Sequence, residues 1–376
     1  MRDVVEIGLG KSAQRGYHLD DVAIVPSRRT RDVDDVSTSW QLDAYQFKIP
    51  CVAHPSDATM SPATAVLLGQ LGGLGTLNVE GLWCRYEDPT KLLETLAGLD
   101  PLDSVGATRR LQEVYAEPIK PELIAERIRS IRDGGVTVAV RVSPQHTLAL
   151  APVILDAGVD ILVIQGTIVS AEHVSTQEEP LNLKEFIADL DLPVIVGGCT
   201  DYKTALHLMR TGAAGVIVGV GADAWSTTDT VLGIRVPMAT AIADAAAARR
   251  DYLDETGGRY VHLIADGDIV TSGDIAKALA CGADAVMLGA PLARCTEAPA
   301  GGAWWHSAAS HPKLPRGAFG GAEEPLGTME QVLYGPSDDA EGTMNLFGGL
   351  RRAMAKCGYR DLKEFQKVGL VIDRNV

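Results

Sequence analysis

One hydrophobic pattern recurs along the chain: a helix closed by glycine, then a short apolar run. It reads DGGVTVAV at 133–140, AGVDILVI at 157–164, TGAAGVIV at 211–218 and CGADAVML at 281–288. Short apolar runs between turn signals suit strands buried on both faces, and their alternation with helices predicts a parallel sheet. Four more runs, at 49–54, 72–78, 192–198 and 262–266, bring the strands to eight. That number predicts an α/β fold, a (β/α)8 TIM barrel, whose site lies at the C-terminal ends of the strands.

The stretch 261–289 shows one such step in full. An apolar strand stops at Asp266-Gly267-Asp268, where glycine permits close backbone approach and a carboxylate can hold a pair of hydroxyls. Ser272 opens a helix with Ile275, Ala278 and Leu279 on one face, Gly282 closes it, and a second strand ends at Gly289. The Ala-rich segment 238–255 predicts the clearest helix. Residues 296–345 break the rhythm with glycine pairs and a Pro-rich stretch, as an irregular lid-like insertion would. The expected organisation is one domain: barrel at about 20–295, insertion at about 296–345, and a C-terminal helix and tail at 346–376.

A length of 376 residues, 46% of them hydrophobic, allows a large core. A formal charge of -15 argues against nucleic acid or an anionic membrane as partner, though not against small anions held locally. No leader-like apolar segment opens the chain and no run is long enough to span a bilayer, so a cytoplasmic protein is expected. The six cysteines form no CxxC pair, which predicts reduced thiols rather than a zinc site or a disulfide framework. GLGKS at 8–12 fails as a phosphate loop, because Val5 stands where a glycine is required. GVGADA at 219–224 follows a strand but lacks the acidic partner of a dinucleotide fold.

Two long segments carry a resemblance: ADGDIVTSGDIAKALACGADAVMLG, and before it VIVGVGADAWSTTDTVLGIRVPMATAIADAA. With IPCVAHPSDATM, GGLG and the closing GGLRRAMAKCGYRDLKEF, they resemble the IMP dehydrogenase/GMP reductase family over most of the chain. Residues 81–132 are too short for the paired CBS modules many members carry, so the compact branch is the nearer likeness. The resemblance implies a TIM barrel, usually a tetramer, and purine-nucleotide chemistry at C2 (IMP, XMP or GMP) with NAD or NADP. In the family a loop cysteine after the sixth strand attacks that carbon. A K+ or similar monovalent cation on loop carbonyls would fall near Gly219, Gly221 and Ser226.

Several positions depart from the pattern. Ser226 occupies the cysteine's place, and a serine hydroxyl needs an adjacent base where a thiol can ionise by itself. The family's phosphate contacts correspond to Ala224, Asp268 and Gly289-Ala290, so two hydroxyl donors are gone and a carboxylate has arrived. Backbone amides at Gly267, Asp268, Gly289 and Ala290 remain available to an anion. The resemblance keeps Asp266 as the ribose-binding aspartate, with Gly221 and Thr228 in the loop and Asp57 after the family's second strand. Gln165 and Gly198 replace residues on the nicotinamide side. Arg316 is the nearest charged candidate in the insertion, with an ordinary surface arginine as the plainer reading. Trp304-Trp305-His306 can stack a purine or cover the barrel mouth. Cys199 ends the fifth strand, as a substitute thiol or as packing.

Two functions are therefore expected to compete. One is an oxidoreductase of this family on a purine nucleotide; the other is a catalytically impaired relative that binds a purine ligand or a partner. A third, chemistry on an unphosphorylated ligand, is permitted by the lost phosphate donors.

Overall fold

The computed structural model describes residues 4–175 and 180–373. Its eight parallel strands are β1 (Cys51–Ala53), β2 (Thr76–Asn78), β3 (Ala139–Val142), β4 (Ile161–Gln165), β5 (Val194–Cys199), β6 (Gly215–Val218), β7 (His262–Asp266) and β8 (Ala285–Leu288). Every strand predicted from sequence is present. They hydrogen-bond in the order β1-β8-β7-β6-β5-β4-β3-β2. A bridge between Val52 and Leu74 joins β1 to the approach of β2, so the sheet closes into the predicted barrel. Valine, isoleucine, leucine and alanine side chains from the strands are fully buried, as strands covered on both sides require.

Between β2 and β3 the chain forms three helices, α1 (Thr90–Ala97), α2 (Ser104–Val114) and α3 (Pro121–Asp133). The Ala-rich helix α4 runs Met238–Thr256, one residue beyond its predicted end, and Gly257 stops it in the left-handed conformation at φ 68°. Helix α5 (Ser272–Cys281) starts at a capping box in which Thr271 and Asp274 satisfy each other's backbone amides. Helix α6 (Leu346–Lys356) packs on α5, and the tail strand Gly369–Ile372 pairs antiparallel with Val22–Val25. The last three residues of the predicted tail lie outside the described residues.

The base of the barrel is tied by a buried carboxylate. Asp284 accepts from Arg249 at 2.6 Å, Tyr260 at 2.6 Å, Lys363 at 3.0 Å and the Leu263 amide at 2.9 Å. Burial pulls its pKa upward, but the two cations hold it well below the ordinary range.

A second, smaller core lies over one side of the barrel. Leu93 and Leu96 of α1 and Ala107, Leu111 and Val114 of α2 pack with Trp304, Trp305 and Phe319. The insertion is thus seated on α1 and α2 by burying aromatic area, and this brings its segment 304–320 over the C-terminal ends of the strands.

Candidate active site

Two cavities open at that end of the barrel, of about 450 Å³ and about 720 Å³. His54, Asp223, Asp266 and His306 line both. These four come from the loop after β1, the loop after β6, the end of β7 and the insertion, so the barrel and the insertion together build the shared wall.

A chain of buried hydrogen bonds fixes the insertion's contribution. The Ser56 hydroxyl donates to the Trp305 carbonyl at 2.7 Å, Trp305 Nε1 donates to the Tyr115 hydroxyl at 2.9 Å, and that hydroxyl donates to Asp57 at 2.5 Å. Burial lifts the Asp57 pKa to about 6, with the Tyr115 bond opposing it. Trp304 lies flat enough on Gly289 that a Cβ there would sit 2.4 Å from the indole. His306 stands two residues on, its ring 5.3 Å from that of Trp304 and 5.1 Å from that of His54.

The shared wall holds one ion pair and two shifted groups. His306 Nε2 is 2.9 Å from Asp223 Oδ1. Burial works against both charges, yet each stabilises the other: His306 is raised above the ordinary histidine value and Asp223 is held well below the carboxylate range. Asp223 also accepts from the Trp225 and Ser226 amides at 2.9 Å each. Asp266 is pushed up to about 7 by burial and by Asp223 nearby, while Gln165 Nε2 donates to it at 3.0 Å. His54 is half-buried, desolvation lowers it to about 3 and so keeps it neutral, and its buried Nδ1 has no hydrogen-bond partner among the described residues.

The larger cavity is basic on its far side, with Arg85, Arg141, Arg316, His146 and His311 in its lining. Arg141, on β3, donates twice to the Gln165 carbonyl and lies 3.6 Å from Glu80. Glu80 is also 2.7 Å from His146 Nδ1; against the pull of burial, these partners bring its pKa down to about 2. Gln165 also lines this cavity, and its buried Oε1 has no hydrogen-bond partner among the described residues. The smaller cavity is acidic: Asp20, Asp21, Asp223, Asp266, Asp268 and Asp274 line it, against Arg235 and the histidines. Asp268 holds φ at 53°, with His18 Nδ1 at 3.8 Å and Arg235 at 3.9 Å from its carboxylate.

The description of the IMP dehydrogenase/GMP reductase domain matches residues 16–320 of this chain. The chain belongs to that family. A protein of Mycobacterium tuberculosis named as an uncharacterized oxidoreductase is 62% identical, with 98% of this chain and all of that one covered. An inosine-5'-monophosphate dehydrogenase of Aquifex aeolicus is 33% identical over 96% of this chain and 76% of its own length. The crystal structure of an IMP dehydrogenase/GMP reductase-like protein from Corynebacterium glutamicum superposes with a TM-score of 0.93 at 55% identity, covering 99% of this chain and 98% of that one.

Within this IMP dehydrogenase/GMP reductase barrel, the residues singled out from sequence divide into three groups. Ala224, Asp266, Gly267, Asp268, Gly289 and Ala290 converge on the smaller cavity. Gln165, Gly219, Gly221, Ser226 and Thr228 face the larger one, and Asp266 belongs to both. Asp57 and Gly198 line neither. Asp57 follows β1, the first strand of the barrel, and its Oδ2 accepts from Tyr115. Gly198 lies inside β5, where a Cβ would come within 2.4 Å of the Gly219 carbonyl, so its role is to let the loop after β6 pass. Gly219 itself, at φ 144°, abuts the Asp266 carbonyl so closely that no side chain fits.

At the family's cysteine position, Ser226 Oγ donates to Thr228 Oγ1 at 3.0 Å, and among the described residues no carboxylate or histidine hydrogen-bonds to that hydroxyl. Cys199 does not replace the thiol: it is buried at the end of β5 and burial raises its pKa to about 12. Arg316 is not an ordinary surface arginine. It reaches Thr167 Oγ1 at 3.2 Å across the mouth of the larger cavity, and its buried Nε lacks a partner. Sequence reading missed His54 as a site residue, the Glu80–Arg141–His146 group, and Asp223 as the partner of His306. A charged residue inside the apolar run TVAVRVS was the signal available for Arg141, since an unpaired arginine is almost never buried.

Proposed function

We propose that the protein is an NAD(P)-linked oxidoreductase acting on a purine ribosyl ligand, with the dinucleotide in the larger cavity and the ligand in the smaller. The observation that carries this reading is the wall of His54, Asp223, Asp266 and His306 common to both cavities, because hydride transfer requires the two reactants to meet at one place. The larger cavity suits a dinucleotide: Arg85, Arg141 and Arg316 offer charge to a pyrophosphate, and the unpartnered Gln165 Oε1 is an acceptor for a carboxamide or ribose donor. When bound, the nicotinamide supplies the hydride acceptor or donor. The chain's own residues do the rest. Asp266 accepts from a pair of ligand hydroxyls, His306 holds a proton at Nε2 against Asp223, and Trp304 with His54 excludes water from the meeting point.

The test is spectrophotometric. The purified protein is incubated with NAD+ or NADP+ and with inosine, IMP, guanosine or GMP, and formation of reduced nicotinamide is followed at pH 7 to 9. Turnover that falls at least about a hundredfold in His306→Asn supports the reading. A second reading, a binding relative without turnover, is favoured by one observation: the Ser226 hydroxyl is engaged by Thr228 and, among the described residues, by no carboxylate or histidine. Ligand binding without turnover, with IMP-dependent turnover appearing in Ser226→Cys, would establish that alternative.

A further inference from the structure

The smaller cavity carries an inference that rests on the purine ribosyl reading and narrows it. We propose that Asp268 selects a nucleoside over a nucleoside monophosphate, accepting a hydrogen bond from the ligand's 5′-hydroxyl where a phosphate would be repelled.

The charge of the cavity is the first support. Six carboxylates line it, and its charged partners each face one of them: His306 Nε2 lies 2.9 Å from Asp223 and Arg235 lies 3.9 Å from Asp268. A phosphate dianion entering there would meet carboxylates at short range in a partly desolvated space, where like charges cost most. An uncharged hydroxyl meets them as acceptors. The neutral His54, whose buried Nδ1 lacks a partner in the same wall, likewise suits an uncharged, hydrogen-bonding ligand rather than an anion.

The backbone is the second support. Gly267 at φ 134° and Asp268 at φ 53° form a turn that glycine would occupy without strain, so a carboxylate is kept at a position where a side chain is disfavoured. The short helix Ala290–Ala293 that follows β8 begins with alanine, the Trp304 indole lies against Gly289, and the residues lining this cavity include no serine, threonine or tyrosine. With Asp266 at the end of β7 taking the ribose diol, Asp268 two residues on is placed for the sugar's other end.

Isothermal titration with inosine and with IMP, each with and without Mg2+ and in the presence of NAD+, tests this. Wild-type protein is expected to bind inosine at least tenfold more tightly than IMP. Asp268→Gly, which removes the charge at a φ that glycine accepts and so preserves the fold, is expected to bind IMP at least fivefold more tightly than wild type and inosine more weakly. IMP binding as tightly as inosine in the wild type, alone or through Mg2+, overturns the proposal while leaving the purine reading in place. An unchanged preference in Asp268→Gly overturns the role of Asp268. If neither purine binds, the purine reading fails and the nucleoside proposal falls with it.

Discussion

The two cavities at the barrel mouth share a wall and differ in charge. The larger gathers three arginines and two histidines on its far side; the smaller is bordered by six aspartates. A single hydrophobic scaffold supports both, so the difference lies in which loop residues end each strand. Strands β2 and β3 deliver Glu80 and Arg141 to the basic side, while β7 and its turn deliver Asp266 and Asp268 to the acidic side. Fold alone therefore leaves the ligand open, and the proposed division, phosphates in one cavity and hydroxyls in the other, rests on this difference in charge.

The comparison breaks most completely if the common scaffold is lost. Asp284→Ala leaves the Arg249 guanidinium buried without its partner and is expected to cost about 3–5 kcal/mol, read as a lowered chemical-denaturation midpoint, with binding to both cavities lost together. A smaller and more selective effect is expected from Asp266→Ala: inosine binding weakens by about 30- to 100-fold, the loss of a charged hydrogen-bond acceptor, while binding of NADH measured by fluorescence changes less than about threefold. The mirror experiment is Arg316→Ala, expected to weaken NADH by about five- to tenfold and to leave inosine unchanged. If either variant affects both ligands equally, the division between the cavities fails.

A further expected effect is a pH dependence of stability. Asp266 titrates near 7 in the folded protein and in the ordinary carboxylate range when unfolded, so the native state binds more protons between about pH 4 and 7. Stability from this group is present at low pH and is lost as pH rises through about 7. Replacing it by Asn is expected to make the difference in unfolding free energy from wild type vary by roughly 2–3 kcal/mol over that interval. Inosine binding to the wild type runs in the opposite direction, tightening as Asp266 loses its proton, and Asp266→Asn removes that slope.

The barrel was legible because its signal is repeated: eight apolar runs, most of them set off by glycine, repeat the same prediction, and the helix at 238–255 is short of its observed end by one residue. The acidic cavity was also legible in part, since Asp266, Gly267, Asp268 and Gly289 sit at strand ends, where periodicity stops. Its counterpart was not. Arg141 and Glu80 lie far apart in sequence, and the parallel pairing of β2 with β3, which sets Asn78 opposite Arg141, makes them neighbours. His306 was hidden for another reason. Its position depends on Trp305, Tyr115 and Asp57 linking the insertion to α2 and the β1 loop, a tertiary chain with no local pattern. The same chain includes Asp57, which the family resemblance sets beside the ligand and whose Oδ2 here accepts from Tyr115.

The most direct measurement is a crystal structure of the protein with NAD+ and inosine bound together, repeated with IMP. The account predicts the dinucleotide's phosphates beside Arg85, Arg141 and Arg316, the nucleoside's diol on Asp266 and its 5′-hydroxyl at Asp268, with IMP absent or at low occupancy. A phosphate seated against Asp268 and Gly289, or a dinucleotide in the smaller cavity, would contradict it.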